Sequence, residues 1–143
     1  MIVVDTSVLV YAKGAEHPLR EPCRRLLVEI AGGRLAATTT IEVVQEFAHV
    51  RARRYGRSDA LDLALDYVEG LSPLLPVTEA VLRAGLRLFA HVGRLGAFDA
   101  VLAAAALHVG ADALVSADRA FADVPGLAHV RPDGKGVAGL LGG

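Results

Sequence analysis

The sequence predicts an α/β fold: a central, short parallel sheet flanked by helices on both faces. Two observations carry this expectation. Short apolar or β-branched runs alternate with stretches of helical length along the whole chain, a pattern that demands crossover connections between parallel strands. And 143 residues, 53% hydrophobic and 22% charged, form a single domain that can bury roughly 70% of its unfolded surface without disulfides.

Ile2-Val3-Val4 opens as a strand ending at Asp5, with Thr6 and Ser7 available to cap the helix that follows. A second helix runs from Pro18 to Ile30, with proline near its start and Gly32-Gly33 closing it. Leu35 to Thr38 is a short strand. Thr39-Thr40 cap a long helix that runs to about Arg54 and stops at Gly56. Ser58 opens a helix through Glu69, closed by Gly70, with Leu61, Leu65 and Val68 at helical spacing.

Leu74-Leu75-Pro76-Val77 is expected as a short or edge strand, since proline removes a ladder donor. Glu79 to Val92 is helical, with Val81, Leu82, Leu86 and Phe89 on one face. Ala97 to Val109 is the most apolar helix, which implies burial against the sheet and another helix or a second subunit. Ala113 to Ser116 is the most central strand, followed by a helical turn near Arg119–Phe121 and a last strand near Ala128–Val130. Residues 1–132 are thus read as the folded domain and 133–143 as a loose, Gly-rich tail.

Composition excludes several function classes. Fifteen basic residues face sixteen acidic ones, for a net charge of −1, so binding of nucleic acid by bulk positive charge is excluded. Cys23 is the only cysteine. It rules out a disulfide framework and a thiolate zinc site, suits a reducing cytoplasm, and reads as a structural thiol. No targeting segment is visible, and the apolar run Ala100 to Leu107 is too short to span a bilayer. A soluble, cytoplasmic protein with no membrane partner is expected.

Several motifs fail on context. Gly134 to Gly139 matches GxGxxG literally but lacks the preceding βαβ unit that gives the motif meaning. The histidines His17, His49, His91, His108 and His129 show no zinc spacing, and neither a phosphate-binding P-loop nor a GxSxG elbow is present.

What remains is a set of acids. Asp5 ends the first strand, and Asp118 lies two residues beyond Ser116; in open α/β sheets the ligand crevice lies beyond the carboxyl ends of the strands. Asp99 sits in the first turn of an otherwise apolar helix. Glu46 lies in the helix after the second strand and, at about 100° per residue, borders its apolar arc roughly 40° from Val50, whereas the competing Glu42 turns further toward solvent. Each acid taken alone could be a helix cap or a dipole partner. Together, carboxylates gathered at one sheet edge repel one another unless a cation sits among them, and hard oxygen donors suit Mg²⁺ or Mn²⁺. Asp59, Asp62 and Asp66 read as solvated, and Asp123 as a spare ligand near Asp118.

The ordered set of segments resembles a known family. Ile2-Val3-Val4-Asp5-Thr6-Ser7-Val8-Leu9, Thr40-Ile41-Glu42-Val43-Val44-Gln45-Glu46-Phe47, Phe98-Asp99-Ala100-Val101-Leu102-Ala103-Ala104-Ala105-Ala106 and Ser116-Ala117-Asp118-Arg119-Ala120-Phe121 resemble the four motifs of PIN domains, in order and over nearly the whole chain. The size and layout resemble VapC-type toxin ribonucleases of prokaryotic toxin–antitoxin pairs. That resemblance implies an endoribonuclease dependent on Mg²⁺, with Mn²⁺ able to substitute, in which Asp5 and Asp99 hold the principal ion and Glu46 and Asp118 complete the site. Divalent ions then polarise the scissile phosphate and activate a water for in-line attack. Thr6 and Ser116 are expected to position waters or ligands. Arg51, Arg53 and Arg54 are expected to contact RNA phosphates, with Arg20, Arg24 and Arg25 as a second cluster. The resemblance further implies a homodimer and a VapB-like antitoxin, for which Leu26–Ile30, Leu61–Val68 and Ala100–Leu107 are candidate surfaces.

Two other readings compete. A catalytically silent PIN-like RNA-binding module would keep the fold and lose cleavage. A receiver-like phosphoacceptor domain also gathers carboxylates at strand ends, but it needs paired acids after the first strand and a late lysine. Here Thr6-Ser7 follow Asp5, and the lysines are Lys13 and Lys135.

Overall fold

Ile2–Val4 forms β1, and all three residues are buried. Because successive strand side chains point to opposite faces, burial of all three means that both faces of the sheet are covered. The same holds for β3, Ala113–Val115. The computed structural model describes residues 1–142, in which four strands lie in the order β2-β1-β3-β4 and every pairing is parallel. The outer strands β2, Ala37–Thr38, and β4, His129–Val130, are two residues long.

Parallel strands need crossovers. Helices α1, Thr6–Lys13, and α2, Arg20–Ala31, connect β1 to β2. Helices α3, Ile41–Tyr55, α4, Arg57–Leu71, α5, Glu79–His91, and α6, Ala97–His108, connect β2 to β3. A 3₁₀ turn, Arg119–Asp123, leads to β4, and α7, Gly134–Leu140, follows. The chain leaves β1 toward β2 on one side and returns to β3 on the other. This reversal opens a crevice beyond the carboxyl ends of β1 and β3.

The expected order of elements is present, with instructive departures. Asp5, not Thr6 or Ser7, caps α1: its side chain accepts the Thr6 N–H, leaving both hydroxyls free for other work. Leu74–Val77 forms no strand and contributes a single parallel bridge, Thr40 to Leu75. Leu75 exchanges two hydrogen bonds with Thr39 and Ile41, and Pro76 has no N–H with which to continue. Gly70 lies within α4, which instead ends at Leu71 before Ser72-Pro73.

Helix α4 also turns a different face inward than its leucines suggest. Ala60, Ala64, Tyr67 and Leu71 are buried, while Leu61 and Leu65 are 57% and 52% exposed. Tyr67 packs edge-on against Phe47 of α3, ring centres 4.8 Å apart, and its hydroxyl donates to the Leu9 carbonyl at 2.9 Å. Small residues at 60 and 64 let the α3–α4 pair approach, and that approach decides the face. The tail is not loose over Gly134–Leu140, and its last residue, Gly143, lies outside the described residues. Asp133 caps α7 by accepting the Gly136 N–H at 2.8 Å, Val137 is buried, and the helix rests on α2.

Helix α6 is buried from Leu102 to Ala106 between β3 and α5. Its partner meets it through Gly85, where a Cβ would stand 2.6 Å from the Val101 Cα and 2.7 Å from its Cγ2. Gly85→Ala is therefore expected to force α5 and α6 apart and to cost about 1–3 kcal/mol. Denaturant unfolding of the purified variant measures this, and wild-type stability would disprove the close approach.

Candidate functional site

Asp5 follows β1, and its backbone N–H donates to the Val115 carbonyl of β3 at 2.9 Å. That bond clips the end of β1 to the end of β3 and brings two motifs more than a hundred residues apart into one place. Asp5 is buried, and donors surround its carboxylate. The Thr6 N–H gives to Oδ1 at 2.7 Å. The Ser116 hydroxyl gives to Oδ2 at 2.6 Å, and the Ser7 hydroxyl gives to the same oxygen at 3.1 Å. Three donors hold this carboxylate in one orientation.

The hydroxyls carry the network onward. Ser116 Oγ accepts the Asp118 N–H at 3.0 Å, and Ser7 Oγ accepts the Ala117 N–H at 3.1 Å. The start of the fourth motif is thereby laid over the first. Asp118 is exposed, and its Oδ1 accepts the Ala120 N–H at 2.9 Å, capping the 3₁₀ turn. Thr6 reaches the other way, its hydroxyl donating to Glu46 Oε2 at 3.2 Å. One residue of α1 thus orients acids on two different elements.

Glu46 projects from the second turn of α3. Burial pushes its carboxyl upward, the Asp5 charge adds to this, and the Thr6 hydroxyl and His49 oppose it. Asp99 lies in the first turn of α6 and is raised to about 7, first by burial, then by the charges of Asp5, Asp118 and Glu46. Asp99 therefore senses the other three acids at once. Glu46 and Asp99, with Gly96, Ala97 and Phe98, line a cleft of about 460 Å³. Glu42 is absent from this cleft and lines a neighbouring one with Leu82, Leu86 and Phe98, so Glu46 is the acid of its helix that joins the cluster.

Among the described residues, no three carboxylate, imidazole or thiolate groups converge tightly enough to grip one ion by themselves. Glu46 and Asp99 line one cleft, and the charges of Asp5 and Asp118 reach Asp99 there. This arrangement fits Mg²⁺, which takes one or two carboxylates and keeps several waters. The mutual repulsion expressed at Asp99 is the charge imbalance that a divalent cation would neutralise.

The other predicted residues divide. Arg53 and Arg54 are exposed on α3, and Arg53 lies on the same row as Glu46, about 20° away around the helix. Arg51 departs from the expected role as an RNA contact. It pairs with Asp59 of α4, donates to the Lys13 carbonyl at 2.8 Å and stacks on Tyr55 at 3.7 Å. Its charge is spent on joining α3 to α1 and α4, and Asp59 is correspondingly not a simply solvated acid. Asp123 likewise serves elsewhere, held by Arg94 at 2.8 and 3.0 Å. Cys23 is fully buried, and burial pushes its thiol up to about 12, which makes it inert.

Two further residues act on the acids without a motif to mark them. Ser7 orients Asp5 instead of capping α1, and its position two after Asp5, on the same turn, is the signal for it. His49 acts on Glu46 from one helical turn away, a spacing at which side chains meet.

Residues 2–127 match the PIN domain family, and Ribonuclease VapC7 of Mycobacterium tuberculosis is 58% identical over 143 residues, covering 99% of both chains. This chain belongs to the PIN-domain family of VapC ribonucleases. Ribonuclease VapC23 of the same species is 36% identical over 69% of this chain and 78% of that one. Among solved structures, Mycobacterium tuberculosis VapC20, a toxin that cleaves the sarcin-ricin loop, superposes with a TM-score of 0.72 at 18% identity, covering 85% of this chain and 93% of that chain. VapBC2 from Rickettsia felis, bound to a promoter DNA fragment, gives 0.70 at 16% identity over 92% and 98%. At these identities the two structures speak for the fold alone. No helix of the described residues is long and apolar enough to cross a membrane.

The raised Asp99 makes a thermodynamic prediction. The folded protein holds this proton up to about pH 7, while an unfolded chain releases it near 3.8. The resulting stability is complete below about pH 4 and is lost as pH rises through 7. In metal-free buffer, Asp99→Asn should therefore melt a few degrees above wild type at about pH 8, with the gap narrowing as pH falls and closing near pH 4. A thermal-melt series across that range checks it; equal melting at pH 8 would show that the carboxylates do not repel.

Proposed function

We propose that the protein is a divalent-metal-dependent endoribonuclease that acts as the toxin of a type II toxin–antitoxin pair. Ribonuclease activity follows from membership of the family. The observation that supports metal dependence is the electrostatic state of Asp99, raised to about 7 by burial and by three neighbouring carboxylates. Such a cluster of oxygen donors is stable with all charges present only around a cation.

In this reading Asp5 and Asp99 hold the principal Mg²⁺, or Mn²⁺ in its place, and Glu46 and Asp118 complete the site. When bound, the ion supplies Lewis-acid polarisation of the scissile phosphate and a water of lowered pKa. Ser116, Ser7 and Thr6 keep the Asp5 and Glu46 carboxylates aimed before substrate arrives, which spares the site that reorganisation. Arg53 and Arg54 contact phosphates of the strand along α3, steering RNA toward acids that would otherwise repel it.

Two partners belong to the same reading. A VapB-like antitoxin is supported by the VapBC2 assembly of Rickettsia felis. Of the three candidate surfaces, Ala100–Leu107 is largely buried, whereas the other two flank a cleft of about 480 Å³ between α2 and α4, walled by Leu27, Val28 and Leu63. A second copy of this chain is assigned to the opposite kind of surface, the exposed row Leu82, Leu86 and Phe89 of α5 with Phe98 and Ile41. A contiguous apolar patch of this kind marks an association site.

Two measurements test these readings. Purified protein should cut RNA with Mg²⁺ or Mn²⁺ and stop in EDTA. Asp5→Asn and Asp99→Asn should each lose more than about 100-fold, the upper limit for residues that only orient ligands. Cutting that persists in EDTA would overturn metal dependence, and RNA binding with no cutting under any metal would favour a silent binding module. Light scattering should report a dimer for the wild type and a monomer for Leu86→Glu with Phe89→Glu; an unchanged mass would free that face of the role.

A further inference from the structure

Helix α5 presents a second face, opposite the leucine row. Between α5, α6 and the 3₁₀ turn lies a cavity of about 940 Å³. Its walls are apolar: Leu88 and Val92 on one side, Ala104 and Leu107 on the other. Its rim carries Arg87, His91 and His108. The Arg87 guanidinium has no carboxylate partner among the described residues, and the His91 ring is held by a 2.7 Å contact between Nδ1 and the Arg87 carbonyl. Planar groups at a rim above apolar walls, with an uncompensated guanidinium beside them, are the means by which unstacked bases and their phosphates are held.

The cavity adjoins the acidic cluster through one short element. Asp118 caps the 3₁₀ turn at its start, and Asp123, its last residue, lies on the cavity wall. Five residues at about 2 Å rise put the two roughly 10 Å apart. Arg94 bridges them, bonded to Asp123 and to the Arg119 carbonyl and acted on by the charge of Asp118. A strand cut among the acids thus has a receptacle for an adjacent nucleotide on this side.

We propose that the cavity between α5, α6 and the 3₁₀ turn binds one nucleotide of single-stranded RNA flanking the cleaved bond, its base against Leu88, Val92 and Leu107 and its phosphate at Arg87. This rests on the nuclease reading for the position of the cut, not for the binding itself. The charge of the rim commits the cavity to an anionic, base-bearing ligand. A cavity that holds one base also selects for it, so the site contributes to where RNA is cut.

The test uses the full chain with a short single-stranded RNA in EDTA, read by fluorescence polarisation. Arg87→Ala removes the phosphate contact, and Ala84→Trp, on the exposed surface of α5, fills the cavity. Arg34→Ala, on the loop before β2, removes an equal charge elsewhere. The first two should weaken binding about 10-fold, the scale of one stacked base, while Arg34→Ala and the circular dichroism stay unchanged. With Mg²⁺ and a randomised RNA pool, the same two variants should lose base preference at one fixed position from the cut. Wild-type affinity and preference in both variants would overturn the assignment, as would equal weakening by Arg34→Ala. Failure of the wild type to cut would overturn the nuclease reading alone, because the binding arm still decides the cavity.

Discussion

The hydrogen bond from the Asp5 N–H to the Val115 carbonyl is the contact on which the site's geometry depends. It closes the β1–β3 ladder at its carboxyl end, and Asp5 and Asp118 both hang from the residues just past it. Ser116 follows Val115 and donates to Asp5; Ser7 follows Asp5 and accepts from Ala117. The two hydroxyls pair the loops reciprocally, so neither motif can shift without the other. A short buried sheet suffices because it needs only to hold β1 and β3 in register, and their residues, pointing alternately to the two faces, are all buried.

The same closeness has an electrostatic cost. Burial, reinforced by the charges of Asp5, Asp118 and Glu46, holds a proton on Asp99 up to about 7. A carboxylate in the first turn of the most buried helix serves stability poorly in the absence of a cation. The hydroxyl network stabilises Asp5 and orients Glu46, and no hydrogen bond of the described residues does the same for Asp99. Under the proposed function, activity and stability therefore pull on Asp99 in opposite directions, as is common where a site is pre-organised for charge.

Helix α5 shows how one element serves two surfaces. Residues 82, 86 and 89 fall on one side, and 84, 87, 88 and 91 on the other, as the 3.6-residue period requires. Gly85 stands where the helix touches α6 and sets how near the two helices come. A single helix thereby carries an apolar row on one side and a basic rim on the other.

The order of strands and helices, the alternating α/β pattern and the placement of Asp5 and Asp118 past strand ends were legible in the sequence, because they follow from local periodicity and from the rule that crevices open at carboxyl ends. The choice of Glu46 over Glu42 was legible as a helical angle. Tertiary packing decided the rest. Leu61 and Leu65 face outward because Ala60 and Ala64 allow α3 and α4 to approach, a matter of shape that hydrophobic spacing does not encode. Arg51 joins helices instead of awaiting RNA because Asp59 and Tyr55 happen to lie within its reach. Ser7 bonds Ala117, and Gly134–Leu140 folds on α2, because contacts more than a hundred residues distant are available to them. Local pattern fixes which elements form and which residue types they carry; only the packed chain determines which groups meet, and charge, proton affinity and cavity shape follow from that meeting.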